Sequence, residues 1–149
     1  MTDEELLAVA YRAAASGAAE GGVPIGAALA VSDRVLATGW NKRVQWGSAI
    51  RHGETDCLEN AGRLPATVYR RATLATTLSP CDMCTGAILL YGIPRVIVGE
   101  NRTFVGGEDL LRSRGVEVVV LDDTRCVDLL ADFITRQPAV WNEDIGVQD

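Results

Sequence analysis

The sequence predicts a three-layer α/β/α sandwich on a mixed five-stranded sheet, with an antiparallel first hairpin and a parallel second half. Three observations predict it. An amphipathic helical pattern opens the chain, two early apolar runs are joined by a short polar turn, and short apolar runs then mostly alternate with helical segments. The later runs, Val96-Ile97-Val98 and Val116 to Leu121, are apolar except at Glu117, as strands buried on both faces largely are.

Each element has its own signal. Thr2 and Glu5 form a capping box, and Leu6, Val9, Ala10, Ala13 and Gly17 follow at helical spacing, giving a helix to about Ala19. Glu20-Gly21-Gly22 ends it. Ile25 to Val31 and Val35 to Trp40 read as strands around the turn Ser32-Asp33-Arg34. Asn41 to Ile50 reads as a polar loop, Gly53 to Ala61 as a helix stopped by Gly62, and Thr73 to Leu78 as a β-branched strand. Ser79-Pro80 reads as the cap of a helix to Tyr91, since proline fits a first turn where its missing N–H is not needed. Gly107 to Arg114 and Thr124 to Arg136 complete the helices, and Pro138 opens a tail.

Composition narrows the function. A chain of 149 residues is the size of one domain, so residues 1–149 are expected to form a single unit. No apolar run approaches a membrane span, and the acidic N-terminus lacks the pattern of a secretory signal, which makes the cytoplasm the expected compartment. Fourteen basic residues face 20 acidic ones, a formal charge of −6, so a small uncharged substrate fits better than a nucleic acid. Arg70-Arg71 and Arg112 to Arg114 read as solvated faces. Four cysteines without a secretory signal, two of them spaced Cys-x-x-Cys, favour metal or redox chemistry over disulfides.

The most informative stretches are His52-Gly53-Glu54 and Pro80-Cys81-Asp82-Met83-Cys84. A catalytic zinc takes three protein ligands and keeps one position open, which His52, Cys81 and Cys84 can satisfy. His52 is the only histidine in the chain. Both segments open a helix, where free N–H groups and the dipole favour a thiolate. Glu54 falls beside the metal without binding it, the position of a proton shuttle. His-x-Glu followed by Pro-Cys-x-x-Cys is the spacing that zinc deaminases use. A redox pair or a structural zinc clip is the plainer alternative. Asp82-Met83 is unlike the small residues or proline of redox pairs, and Cys57 and Cys126 lack the spacing of a fourth ligand, so both are expected to be buried and inert.

Longer stretches carry a family resemblance. Gly21 to Gly26, His52-Gly53-Glu54, Leu58-Glu59-Asn60, Thr76 to Ile88, Tyr91 to Arg95, Gly99-Glu100-Asn101, and Trp141 followed by Glu143 to Gly146 resemble the fungal-type cytosine deaminases of the cytidine and deoxycytidylate deaminase superfamily. The resemblance implies a homodimer with one zinc per subunit that turns cytosine into uracil and ammonia by water activated at the metal. It implies that Asn41 holds the carbonyl edge of the base and that the backbone at Gly53 and Ser79 lines its polar rim. Asp144 would accept from the amino group, while Phe104 and Trp141 would pack over the ring as part of a lid.

The chain departs from that family at three positions. Asn142 stands where an aromatic is usual, and Thr55 then Asp56 follow His-x-Glu where an apolar residue usually comes first. With Ile25, these are the candidates for setting specificity, because polar groups in a site discriminate between substrates sharply. Isocytosine, a 5-substituted cytosine, guanine or an aminotriazine are the alternative substrates. A tRNA adenosine deaminase or a non-catalytic zinc or redox protein are the remaining alternatives.

Overall fold

The computed structural model describes residues 1–148. Helix α1 (Asp3–Ala19) begins at Thr2, whose hydroxyl accepts from the Glu5 amide while the Glu5 carboxylate accepts from the Thr2 amide. The expected capping box is therefore formed. There follow β1 (Gly26–Val31), β2 (Arg34–Trp40), α2 (Arg43–Trp46), α3 (Gly53–Ala61), α4 (Ala66–Tyr69) and β3 (Thr73–Leu78). Helix α5 (Asp82–Tyr91), β4 (Arg95–Glu100), α6 (Glu108–Ser113), β5 (Glu117–Val120), α7 (Thr124–Arg136) and α8 (Pro138–Asp144) complete the described chain.

The five strands form one sheet in the order β2-β1-β3-β4-β5. β1 pairs antiparallel with both β2 and β3, while β3, β4 and β5 run parallel. The mixed sheet and its parallel half match the sequence expectation. Alternation along β1 builds the two faces. Ala27 and Leu29 join Leu58, Ile88 and Leu111 on the side of α3, α5 and α6, whereas Ala28 and Ala30 meet Leu6, Leu7, Ala10 and Cys126 on the side of α1 and α7.

Two glycines let helices approach the sheet closely. A Cβ on Gly26 would stand 2.4 Å from the Ala10 carbonyl oxygen in α1, and one on Gly39 would stand 2.2 Å from the Cys57 amide nitrogen in α3. Backbone cannot yield as a flexible side chain can, so both positions exclude any larger residue. The approach at Gly26 seats α1 and that at Gly39 seats α3 against the sheet.

Four local readings change. The stretch read as a loop from Asn41 to Ile50 contains the single turn of α2, and α4 adds another turn where no element was expected. Cys81, not Ser79-Pro80, is the residue at which α5 begins. The segment after Pro138 is a helix rather than a tail, with Pro138 in its first turn and Trp141 buried on one side. Elements this short carry too few residues for a periodic pattern, and tertiary packing decides their conformation. None of the described helices is long and apolar enough to cross a membrane.

The sheet edge opposite the site is pinned electrostatically. Arg95 donates from both terminal guanidinium nitrogens to the two Asp3 carboxylate oxygens at 2.7 Å each, and its Nε donates to Glu117 at 2.8 Å. The hydrogen bonds from Arg95 hold the Asp3 carboxyl below its ordinary value. A carboxyl depressed in the folded state adds stability above its unfolded pKa of about 3.9, and that contribution fades as pH falls through the folded value. Partial exposure keeps the effect small. Asp3→Asn is predicted to lower stability by about 1 kcal/mol at pH 7, with the gap from the parent chain closing below about pH 3, as thermal melts across that range would show.

Candidate metal centre and its cavity

The sheet topology gathers the site at one edge. Because β1 is antiparallel to its neighbours, its first residues lie beside the C-terminal ends of β2 and β3, and the end of β4 follows at the same edge. The Asn41 amide donates to the Ile25 carbonyl at 3.0 Å, and the Ser79 amide donates to the Glu100 carbonyl at 3.0 Å. Ligand sites of open α/β sheets lie at this carboxyl edge.

Two helix starts converge there. His52 is the residue at which α3 begins and Cys81 the residue at which α5 begins, both in extended backbone. Cys84 lies on the first turn of α5 and is buried. The His52 Nδ1 atom lies 3.4 Å from Cys81 Sγ and 3.9 Å from Cys84 Sγ, and the three donor atoms all fall within 4.8 Å of one another. A tetrahedral zinc, at about 2.0–2.1 Å from nitrogen and about 2.3 Å from sulfur, separates such donors by roughly 3.5 Å. The residues fit the ion. They are the only such group of histidine, cysteine and acidic side chains among the described residues.

Around these donors the protein arranges charge. The His52 Nε2 atom lies 3.3 Å from Asp144 Oδ1. With zinc on Nδ1, the Nε2–H would donate to that carboxylate and fix the ring's orientation, as outer partners of ligating histidines commonly do. Burial disfavours the charged ring, but Asp144 and Cys81 outweigh it and hold the His52 proton up to about 10. Cys81 is brought down to about 4, by its hydrogen bond with Cys84 first and then by His52. Cys84 in turn is pushed well up, because it donates to Cys81 and is desolvated. Even without a metal, the geometry favours one thiolate against a cationic ring, the charge separation that a zinc ion would replace.

Asp144 is itself held. Arg43 Nε donates to its Oδ1 at 2.8 Å, and the Asn41 side-chain nitrogen lies 3.1 Å from each of its oxygens. A second bond, from Arg43 Nη1 to Glu143 at 2.9 Å, fastens the end of α8 to the loop before α3.

A narrow cavity, open at its mouth, adjoins the donors. Ile25, Leu78, Phe104, Trp141 and Ile145 give it apolar walls, and His52, Glu54, Ser79, Cys81 and Asp144 give it polar ones. Phe104 and Trp141 meet edge to face, with ring centroids 6.5 Å apart. Glu54 is only 4% exposed, and burial pushes its carboxyl up to about 7.

The structure thus brings together ten lining residues, of which Leu78 and Ile145 were not singled out from sequence. Asn41, Gly53, Thr55, Asp56 and Asn142 lie outside that lining. Asn41 is fully buried, with its amide engaged by Asp144 and its Oδ1 accepting from the Arg43 amide at 2.9 Å. The Ser79 amide is taken by Glu100, and its hydroxyl accepts from the Gly106 amide at 2.9 Å. Thr55 faces the loop, where its hydroxyl accepts from the His52 amide at 2.9 Å. Asp56 is buried behind the site against Lys42 and Arg51. Arg43, which sequence reading passed over, has one available signal: a basic residue two positions after Asn41 in a stretch read as polar loop. Cys57 and Cys126 are buried, and burial pushes each thiol up to about 12, in keeping with inert side chains.

The fit makes a direct prediction. Cys81→Ala should fold but lose most of its zinc, read as metal per chain by elemental analysis after dialysis, whereas the parent chain should hold about one. Stoichiometric zinc in the variant would remove Cys81 from the ligand set.

Comparison with known proteins agrees with this centre. Residues 1–100 match the family model described as the cytidine and deoxycytidylate deaminase zinc-binding region. A cytosine deaminase of Candida albicans is 56% identical over 145 residues, covering 97% of each chain. A tRNA-specific adenosine deaminase of Bacillus subtilis is 35% identical over 101 residues, covering 66% of this chain and 63% of that one. A solved guanine deaminase from Nitrosomonas europaea superposes with a TM-score of 0.70 at 22% identity, covering 90% of this chain and 85% of that one, and shares the fold. The chain belongs to the cytidine and deoxycytidylate deaminase family, whose members bind zinc.

Proposed function

We propose that this chain hydrolyses the amino group of a free nucleobase, converting cytosine to uracil and ammonia. The observation that carries the reading is the buried Glu54 carboxyl in the same narrow cavity as His52 and Cys81. A structural zinc clip has no use for a carboxylate there. The cytosine assignment is supported by the 56% identical relative of that name. The narrow cavity joins apolar walls to a few convergent polar groups, the make-up of a small-molecule site. A formal charge of −6 weighs against a tRNA substrate.

In this reading His52, Cys81 and Cys84 hold the zinc, which when bound supplies the Lewis acidity that turns water into a nucleophile near neutral pH. The chain's own residues do the rest. Glu54 takes the proton that the attacking water gives up. It passes it to the ring nitrogen beside the amino-bearing carbon, then carries the second proton of the same water, now on the new hydroxyl, to the departing amine as the carbonyl forms. A C–O bond forms, the C–N bond breaks, and ammonia leaves. A carboxyl raised toward neutrality by burial can both take and give a proton, as this work requires. Asp144, held by Arg43 and Asn41, accepts from the amino group in this reading, while Ile25, Phe104 and Trp141, which line the cavity, enclose the ring.

The same reading covers assembly and setting. Residues 1–149 act as one domain, and two copies form a homodimer, a state that sedimentation velocity reads directly. Exposed Leu90 and Tyr91 beside an open groove on α5 are consistent with a face between copies. Four cysteines outside any disulfide suit a reducing compartment such as the cytoplasm.

Incubating the zinc-loaded protein with cytosine should release ammonia and uracil in equal amounts. Glu54→Gln should keep zinc and fold while kcat drops by about 10²–10⁴. Full turnover by that variant would exclude the shuttle. A loaded parent chain that ignores cytosine but releases ammonia from guanine or an aminotriazine would keep the chemistry and move the substrate.

A further inference from the structure

The twelve residues between β2 and α3, 41–52, carry parts of the site at both ends. Asn41 and Arg43 at the first end hold Asp144, and His52 at the other presents Nδ1 to the two cysteines. A loop this long, with one helical turn inside it, needs something to set its two ends against each other.

One side chain does so. Asp56, on α3, is fully buried. Its Oδ2 accepts from the Trp40 amide at 3.0 Å, from Lys42 Nζ at 2.7 Å and from Asn60 Nδ2 at 3.3 Å. Its Oδ1 accepts from Arg51 Nη1 at 2.7 Å. The last residue of β2, the start of the loop and its final residue before His52 thus meet on one carboxylate, and the Lys42 amide bridges the ends again by donating to the Arg51 carbonyl at 2.9 Å. Indole rings share the cations. Lys42 Nζ stands 4.2 Å from the Trp40 ring centroid, and the Arg51 guanidinium stands 4.7 Å from that of Trp46. An ammonium as enclosed as that of Lys42, whose side chain is 8% exposed, is tolerated only while its counter-charge stays in place.

We propose that Asp56, with Lys42 and Arg51, is a positioning cluster that holds His52 and the Asn41–Asp144 pair in register across the metal centre. The proposal rests on His52 being a metal ligand, and not on which base is the substrate. It gives Asp56 a role behind the site in place of one in the pocket, at a position where the chain departs from the fungal-type pattern. Removing the carboxylate frees the strand end and the loop return together. His52 then loses the tether of its neighbour Arg51, and metal binding by the three donors becomes less pre-organised.

The test reads the metal rather than turnover. Zinc-loaded parent chain, Asp56→Asn, Lys42→Met and Asp3→Asn are compared by the rate of zinc loss to a chromophoric chelator, by the visible spectrum after cobalt substitution, and by thermal melting. Asp56→Asn should lose zinc about 10–100-fold faster and shift its cobalt bands, with Lys42→Met changing in the same direction by less. Asp56→Glu should restore part of the loss. Asp3→Asn, whose ion pair lies at the far edge of the sheet, should melt lower with zinc release and cobalt bands unchanged. Should Asp56→Asn fail to fold, Lys42→Met decides, since Arg51 still balances Asp56 in it. Parent-like zinc release and cobalt bands in a folded Asp56→Asn, or in Lys42→Met where that variant decides, would overturn the proposal, even if melting fell. A parent chain that binds no zinc would instead refute the ligand assignment itself, before any variant is compared.

Discussion

The structure depends on one geometric constraint: two helix N-termini must arrive at the same edge of the sheet with an imidazole on one and two thiols on the other. The antiparallel placement of β1 makes this possible. It sets the end of β2, from which the chain runs to α3, beside the end of β3, from which it turns directly into α5. The close seating of α1 on Gly26 and of α3 on Gly39 then leaves little freedom in where His52 can stand. Packing on both faces of the sheet therefore serves the position of one ring nitrogen.

Charge follows from that geometry. An enclosed imidazole, two sulfurs and a buried glutamate form a set that water cannot screen, so every member needs a partner in the protein. Asp144 answers His52 and is answered by Arg43 and Asn41. Asp56 answers Lys42 and Arg51 one layer behind. Glu54 stands among these groups, and burial first, then the neighbouring Cys81 charge, raises its carboxyl to about 7, near neutrality. A group placed to bind metal is drawn to one protonation state, whereas a group meant to move protons is kept between two.

The sequence carried much of this openly. Thr2 with Glu5, the largely apolar later strands and the two-part motif around His52 and Cys81 each state a local rule that the fold obeys. What stayed hidden depends on distant partners. Helix α8 offered only Pro138 and a few apolar residues, and its form depends on Trp141 reaching the cavity and on Arg43 holding Glu143 and Asp144. Asp56 looks in sequence like any acidic residue on a short helix. Its burial exists only because Lys42 and Arg51, fourteen and five residues away, fold back onto it. Asn41 follows the same logic: its loop position suggests a turn, and its amide is engaged by a carboxylate 103 residues along the chain.

The central claim is an open zinc site with one imidazole nitrogen and two thiolates from this chain. X-ray absorption at the zinc edge of the loaded protein tests it most directly. The account predicts two sulfur scatterers at about 2.3 Å and two nitrogen or oxygen scatterers at about 2.0–2.1 Å, one of them carrying the outer-shell signature of a histidine ring. A shell of three or four sulfurs, or one with no imidazole contribution, would contradict it.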